Sequence, residues 1–166
     1  HKLNVSNIWE ISYIDVEEIY SLHRFGWLLI ESKKSRKKNT NAFWIFCIIN
    51  WIETNNLVDE IGWDSYSISE RISNWIIYLK SNLEINNTQK KYIDNSIKFQ
   101  LSVLLNNLEI RGKATNNHII NNGRALYLGG IFTEEERYKN SGSKILLDSV
   151  DLMFSESGFL REGSSH

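Results

Sequence analysis

The chain has 166 residues, 42% of them hydrophobic, with 19 Lys and Arg against 20 Asp and Glu. That length is enough for one domain with its own core, and the balanced charge gives no sign of a nucleic-acid partner or an anionic membrane surface. Apolar runs are too short for a membrane-spanning helix, which excludes membrane insertion by that route, and the first residues carry no signal-peptide pattern.

Cysteine and histidine usage argues against disulfide and metal chemistry. The single cysteine, Cys47, lies in an apolar run, where a buried and unreactive thiol is expected. The four histidines, at positions 1, 23, 118 and 166, lack the spacing of a zinc site. The sequence therefore predicts no metal and no cofactor, and it gives no indication of an oligomeric state.

Two helices are predicted in the first third of the chain. From Asp15 to Ile30, apolar residues recur every three or four positions and acidic residues lie at the amino-terminal end, which predicts one helix. The basic run 33–38 at its end is either a solvated helix terminus or a contact for an anionic polymer. Residues 41–54 are apolar on nearly every side and predict a helix that is buried on several sides.

Two further helices are predicted in the middle of the chain. Ser67 and Glu70 have the spacing of a capping box, which places the start of the third helix at Ser67. Its inward face is predicted to comprise Ile68, Ile72, Trp75, Ile76 and Leu79. Thr88 is the predicted cap of the fourth helix.

The last third of the chain predicts two more helices. The fifth runs from about Asn117 to the glycines at 129–130, and its small residues allow a neighbouring helix to approach closely. A second capping box, from Thr133 to Glu136, opens a sixth helix that ends near residue 154. Residues 155–166 lose helical periodicity and are predicted to form a loop or a short strand.

The predicted helices fall into pairs, with first members beginning near residues 17, 67 and 117. This spacing of about 50 residues is in the range of repeat architectures and predicts three αα-hairpins in an all-α fold. Stacked hairpins form either a solenoid or a closed ring, and three alone leave an apolar face uncovered at each end. We therefore expect the chain to be a piece of a larger protein.

An amide and an imidazole are adjacent in sequence at the start of the fifth helix. Asn117 offers a neutral hydrogen-bond donor for an anionic group, and the imidazole of His118 belongs to the side-chain class that changes charge near neutral pH. In the alternative interpretation, Asn116 or Asn117 caps the helix and His118 packs locally.

Four blocks of sequence, in order, resemble the N-terminal helical domain of the heparinase II/III-like polysaccharide lyases, a family that includes alginate and heparan-sulfate lyases. The blocks span nearly the whole chain and read LHRF (22–25), WDSYSISERISNWI (63–76), NHIINNGRAL (117–126) and GFLREGSSH (158–166). The resemblance implies an incomplete α/α toroid over residues 1–154. It also implies that residues 155–166 begin a catalytic loop leading to antiparallel β-sheet domains, which this sequence does not contain.

The resemblance implies eliminative cleavage of an acidic polysaccharide beside a uronic acid. The proton to be removed lies α to a carboxylate, whose negative charge opposes carbanion formation, so a neutral donor must stabilise that group. Asn117 fits this role, and His118 fits the general base or a residue that places it. A tyrosine that protonates the leaving group is expected directly after residue 166, so these 166 residues alone are expected to be inactive.

Other residues of the blocks are candidate substrate contacts. Tyr66 and Arg71 match a Tyr-x-x-x-x-Arg segment of the family and would hold a sugar ring and a substrate carboxylate, although Arg71 equally suits a structural salt bridge. His23 lies on an apolar helix face, where a core histidine is the default and the resemblance adds a role in the cleft. Trp63, in a loop, is the tryptophan best suited to stacking on a sugar.

The final block contributes Glu162 and His166. Glu162 either orients the catalytic loop or is simply exposed, and His166 is a further substrate-binding candidate.

The family resemblance alone favours a periplasmic or secreted location. The alternative function is a non-catalytic helical carbohydrate-binding or scaffold module of a surface-polysaccharide pathway. A helical-barrel hydrolase would need two facing carboxylic acids, and only Glu70 and Glu162 are available as a pair.

Overall fold

The structure, a computed structural model, describes residues 8–9, 15–34, 40–55, 58, 61–81, 85–108 and 118–153. In these ranges the chain forms seven helices: α1 (Val16–Arg24), α2 (Gly26–Lys34), α3 (Thr40–Thr54), α4 (Ser65–Ser81), α5 (Asn87–Asn106), α6 (His118–Thr133) and α7 (Glu136–Met153). No strand occurs in the described ranges, which confirms the all-α class. The predicted loop or short strand at 155–166 lies outside them.

The helix predicted from Asp15 onward is in fact two helices. α1 ends where Phe25 takes a left-handed backbone conformation with φ 59°, and α2 begins at the next residue. This conformation costs a non-glycine residue about 1–2 kcal/mol, which is comparable to the gain of about 2 kcal/mol from burying the side chain. The Phe25 ring is fully buried, 5.4 Å from the ring of Trp9 and 5.2 Å from that of Trp75. The single-helix prediction was wrong because tertiary packing outweighs the local periodicity.

Both predicted starts of the middle helices were also wrong. α4 begins two residues before Ser67, because the Oδ1 atom of Asp64 accepts the Ser67 backbone N–H at 2.8 Å. α5 is capped by Asn86 instead of Thr88, with the Asn86 side chain accepting the Gln89 N–H at 2.9 Å. In each case an Asx residue supplies the capping oxygen.

α4 is the central helix of the described fold. It contacts α1, α2, α5 and α6, while α3 packs against α5 on the outer side. Its predicted inward residues Ile68, Ile72, Trp75 and Ile76 are buried, and Leu79 is half-buried against the core. The first helices of the three predicted pairs correspond to α1 with α2, to α4 and to α6, and they therefore lie side by side.

α3 is buried over more than half of its circumference, as predicted. Phe43 and Phe46 are 46% and 47% exposed, and the buried residues are Ile45, Cys47, Ile48, Asn50 and Trp51. None of the helices in the described ranges is both long and apolar enough to cross a membrane.

The glycines at 129–130 do not end α6, which continues to Thr133. The turn into α7 is made by Glu134, whose φ is 58°, so the predicted capping box at Thr133 was wrong as well. Gly130 lies against α7 instead: a Cβ atom added to it would be 2.3 Å from the backbone nitrogen of Lys139. The two helices therefore touch backbone to backbone.

Gly142 makes the matching contact from α7 and supports a stability prediction. A Cβ atom there would lie 2.3 Å from the Tyr127 backbone nitrogen and 2.6 Å from the Gly123 carbonyl oxygen, so Gly142→Ala must push the helices apart. We expect it to lower the free energy of unfolding by about 1–3 kcal/mol, as overpacking does, measured by urea denaturation.

The matched control is Gly26→Ala. Gly26 is exposed at the start of α2, and its added Cβ atom would meet nothing within 4 Å. Alanine there is expected to be neutral or to stabilise by about 0.4–1 kcal/mol. Equal unfolding midpoints for Gly142→Ala and the wild type would contradict the close α6–α7 contact.

Candidate functional site

Two of the predicted site residues meet at the amino-terminal ends of α4 and α6. The ring centroids of Tyr66 and His118 lie 4.6 Å apart with the ring planes tilted by 36°, and both side chains are half-buried. His118 is the first residue of α6, and Tyr66 is the second of α4. Residues from two separate sequence blocks are thus brought together. Asn117, the predicted carboxylate neutraliser, lies outside the described residues.

A buried amide fixes this meeting of helices. Asn122, one turn after His118, is fully buried and its Nδ2 group donates to the Ser65 carbonyl at 3.2 Å and to the Ser69 hydroxyl at 2.8 Å. A buried amide without partners is costly, so these bonds hold the first turn of α6 against that of α4. Asn122 belongs to the third sequence block, where no role is predicted for it. A polar side chain one turn after His118 is the feature of the sequence that could have indicated a role at this site.

Arg24 also packs against Tyr66. Its Cζ atom is 4.7 Å from the Tyr66 ring centroid and 5.3 Å from that of Tyr20, so the guanidinium lies between two aromatic rings. Its Nη1 atom is 3.1 Å from the Oε2 atom of Glu17. Arg24 belongs to the first sequence block, where no function is predicted for it.

A groove of about 710 Å³ opens beside Arg24, between α1, α2 and α4. The α4 wall presents Tyr66, Glu70 and Asn74, which fall four positions apart on one helix face. Trp27 and Ile30 line the α2 wall. This groove has room for a ligand of more than one sugar ring.

The charged side chains that line the groove are mainly acidic. Among the described residues, the carboxylates of Asp15, Glu17, Glu18 and Glu70 line it, together with the guanidinium of Arg24. Glu70 is neutralised from outside the lining, since its Oε1 atom is 2.5 Å from Nη2 of Arg124. A ligand with many negative charges would meet repulsion here, whereas a single carboxylate has one cation to meet.

Arg71, a predicted carboxylate ligand, is instead in the core. It is fully buried, with its Cζ atom 3.8 Å from the Trp51 ring centroid. It donates to the His23 and Gly62 carbonyls at 3.2 and 2.8 Å and to the Gln100 side chain at 2.8 Å. Burial lowers the pKa of Arg71 to about 9, against the opposing effect of Asp64, so the group is charged at neutral pH. Its position matches neither a substrate contact nor a salt bridge.

His23 also lies in the core. It is 2% exposed, and its Nδ1 atom accepts the indole N–H of Trp51 at 3.0 Å. Burial and the nearby charge of Arg71 lower the pKa of His23 to about 4, while the Trp9 backbone and Asp64 oppose the shift. The imidazole is therefore neutral at physiological pH, as the core interpretation of this residue expects.

Trp63 is buried as well, at 8% exposure. Its indole N–H donates to the Asn55 carbonyl at 3.1 Å, and its ring centroid lies 5.7 Å from that of Trp51. Trp63 also lines a second, smaller groove of about 280 Å³ between α3 and α5, where Tyr92 and Phe99 are the exposed aromatic residues. Glu162 and His166 lie outside the described residues.

Within the described ranges, no three His, Cys, Asp or Glu side chains are grouped so as to hold a metal ion. Cys47 is buried, and burial raises the pKa of its thiol to about 11.

Comparisons of the chain with protein-family models, with curated proteins and with solved structures find no match.

Proposed function

We propose that the chain is the helical part of a polysaccharide lyase that cleaves a uronate-containing acidic polysaccharide by β-elimination, and that its helical pairs form part of an incomplete α/α toroid. The observation that carries this proposal is the contact between His118 and Tyr66, of which Tyr66 lines the larger groove. It joins two of the four blocks that resemble the heparinase II/III-like family. The side-by-side packing of α2, α4 and α6, with α3 against α5, suits the two layers of such a toroid.

In the proposed reaction, the amide of Asn117 donates to the uronate carboxylate as charge moves onto it. His118 removes the proton from the carbon α to that carboxylate, either directly or by placing the base. The electron pair forms a carbon–carbon double bond, and the glycosidic carbon–oxygen bond on the β carbon breaks. The departing oxygen takes a proton from an acid, which the family resemblance expects to be a tyrosine after residue 166.

His118→Ala in the full-length protein is expected to lower the rate of product formation by about 10²–10⁴-fold, the usual contribution of a general base. The measurement is the ultraviolet absorbance of unsaturated uronate released from alginate, hyaluronan, heparan sulfate and pectate. Ile120→Ala, which also alters a half-buried side chain in the first turn of α6, is the matched control and should retain activity.

Two results would contradict this proposal in different ways. Wild-type activity of the His118→Ala variant removes His118 from the mechanism. If the wild-type protein releases no unsaturated product from any of the four polysaccharides, the lyase proposal itself fails.

The second candidate is a non-catalytic carbohydrate-binding or scaffold module. The smaller groove favours it, because exposed Tyr92 and Phe99 lie beside the amides of Asn55 and Asn95, and aromatic faces with amides suit neutral sugars. This alternative expects glycan binding that Phe99→Ala weakens, with no eliminated product.

A further inference from the structure

We infer that Arg24 binds a carboxylate of the ligand in the larger groove, and that the Glu17 carboxylate holds the same place in the free protein. This inference rests on the proposed function and names the charge pattern of the substrate: a glycan with isolated carboxylates, rather than a densely sulfated one.

Among the described residues, Arg24 is the cation that lines this groove, whereas Arg71 is enclosed in the core. The rings of Tyr20 and Tyr66 hold the Arg24 guanidinium, with Cζ 5.3 and 4.7 Å from their centroids. A planar guanidinium that rests on aromatic faces keeps its edge N–H groups for a carboxylate, and such pairing is the strongest charge-assisted contact an Arg makes.

The backbone of Arg24 is fixed by the central helix, because the Asn74 amide donates to the Arg24 carbonyl at 2.8 Å. The Nε group is 3.4 Å from the Ser67 hydroxyl, and the side chain as a whole is 21% exposed. The guanidinium therefore has a defined position next to Tyr66, whose ring contacts His118. A carboxylate bound at Arg24 would place its sugar beside the Tyr66 ring.

Glu17 shows what the edge of Arg24 is able to bind. Its Oε2 atom is 3.1 Å from Nη1, and its side chain is 65% exposed. An ion pair this exposed contributes little to stability, so a ligand carboxylate displaces it at little cost. The displaced Glu17 side chain returns to solvent.

The remaining carboxylates set the limit on ligand charge. Asp15 is occupied at the start of α1, where its Oδ1 atom accepts the Glu17 backbone N–H at 2.9 Å, and Glu70 is paired with Arg124. Neither offers a positive charge to a ligand, and Asp15 adds negative potential. Sulfate groups along a ligand would raise repulsion without adding a contact among the described residues.

The test measures equilibrium binding by calorimetry in the full-length protein carrying His118→Ala, which prevents turnover under the proposed mechanism. The probes are a hyaluronan tetrasaccharide and the same tetrasaccharide after reduction of its carboxyl groups. Arg24→Ala is expected to weaken binding of the native probe by about tenfold or more, the loss of one charge-assisted hydrogen bond. It should change binding of the reduced probe by less than about twofold.

Glu17→Gln should do the opposite and tighten binding of the native probe, because the competing carboxylate is gone. Glu18→Gln is the matched control: it removes the same charge from the same groove lining and helix. A heparan-sulfate tetrasaccharide is expected to bind more weakly than the hyaluronan one. Arg24→Lys keeps the charge but not the planar fork, and is expected to fall between the wild type and Arg24→Ala.

The inference is overturned if Arg24→Ala weakens both probes equally, if Glu17→Gln and Glu18→Gln have the same effect, or if neither probe binds. These failures are distinct from failure of the proposed function. A wild-type protein that releases unsaturated uronate while Arg24→Ala leaves affinity unchanged remains a lyase with a different carboxylate contact.

Discussion

Arg71→Met is expected to lower the free energy of unfolding by about 3 kcal/mol or more. Methionine fills much of the same volume but donates no hydrogen bond. It leaves the carbonyls of His23 and Gly62 and the side-chain oxygen of Gln100 without their partner in the core. Each buried acceptor left unpaired costs about 1–3 kcal/mol.

Removing the buried charge offsets part of that cost. Apolar replacement of buried charged groups is often neutral when every partner is replaced too, but here three acceptors stay behind. The acceptors belong to the end of α1, the segment before α4, and α5, so the guanidinium links three parts of the chain. The free-energy cost of the three unpaired acceptors therefore exceeds the gain from no longer burying a charge.

Urea denaturation of Arg71→Met and Arg124→Met measures this difference. Arg124 is 43% exposed and pairs with Glu70 at the surface, so its replacement should cost less than about 1 kcal/mol. Arg71→Lys retains the charge without the fork and is expected to lie between Arg71→Met and the wild type. An Arg71→Met protein that unfolds at the wild-type midpoint would show that the core does not depend on this group.

Acidification is expected to destabilise the fold through His23 by a total of about 3 kcal/mol. Burial, helped by the charge of Arg71, lowers the pKa of His23 to about 4 from its usual 6.5. Between these values the unfolded chain binds a proton that the folded chain does not. The stabilisation is therefore complete above pH 6.5 and is lost progressively as the pH falls towards 4.

The hydrogen bond to Trp51 also disfavours a proton on His23. The Nδ1 atom accepts the indole N–H, so a proton added at Nδ1 would face another proton. Gly62 lies so close that an added Cβ atom would be 2.6 Å from the same nitrogen, which leaves the ring little room to turn away. The charged imidazole is thus excluded both by desolvation and by geometry.

His23→Gln is the test, because glutamine is neutral and also offers an acceptor to Trp51. The free energy of unfolding is measured between pH 7.5 and 5, above the range in which most carboxylates titrate. The wild-type curve should approach a slope of about 1.4 kcal/mol per pH unit, and the variant curve should be nearly flat. Parallel curves would assign the pH dependence to other groups.

Much of the helical fold is predictable from the sequence because apolar spacing is local. Residues such as Ile72 and Ile97 repeat at helical intervals, and both are fully buried. The break at Phe25 was not predictable, since neither glycine nor proline occupies that position and its cause is a ring packed among distant tryptophans. Gly130 was misread as a helix end for the same reason, because its partner, Lys139, lies on another helix.

The candidate site was predictable only in part. The sequence blocks selected Tyr66 and His118, which the structure places in contact. They did not distinguish Arg24 from Arg71, because both are arginines within a block. Arg71 lies in the core because its hydrogen-bond acceptors come from residues distant in sequence, which the blocks do not reveal. Asn117 lies outside the described residues and stays a prediction.

The bend at Phe25 also determines the outline of the binding groove. Residues of α1 and residues of α2 form two walls that converge on this position, and Arg24 lies at the corner between them. A straight helix would place both sets of side chains along a single rod, and the concave corner would vanish. Substitutions in the aromatic cluster around the Phe25 ring should therefore alter ligand affinity from a distance, by changing the angle at which the two walls meet.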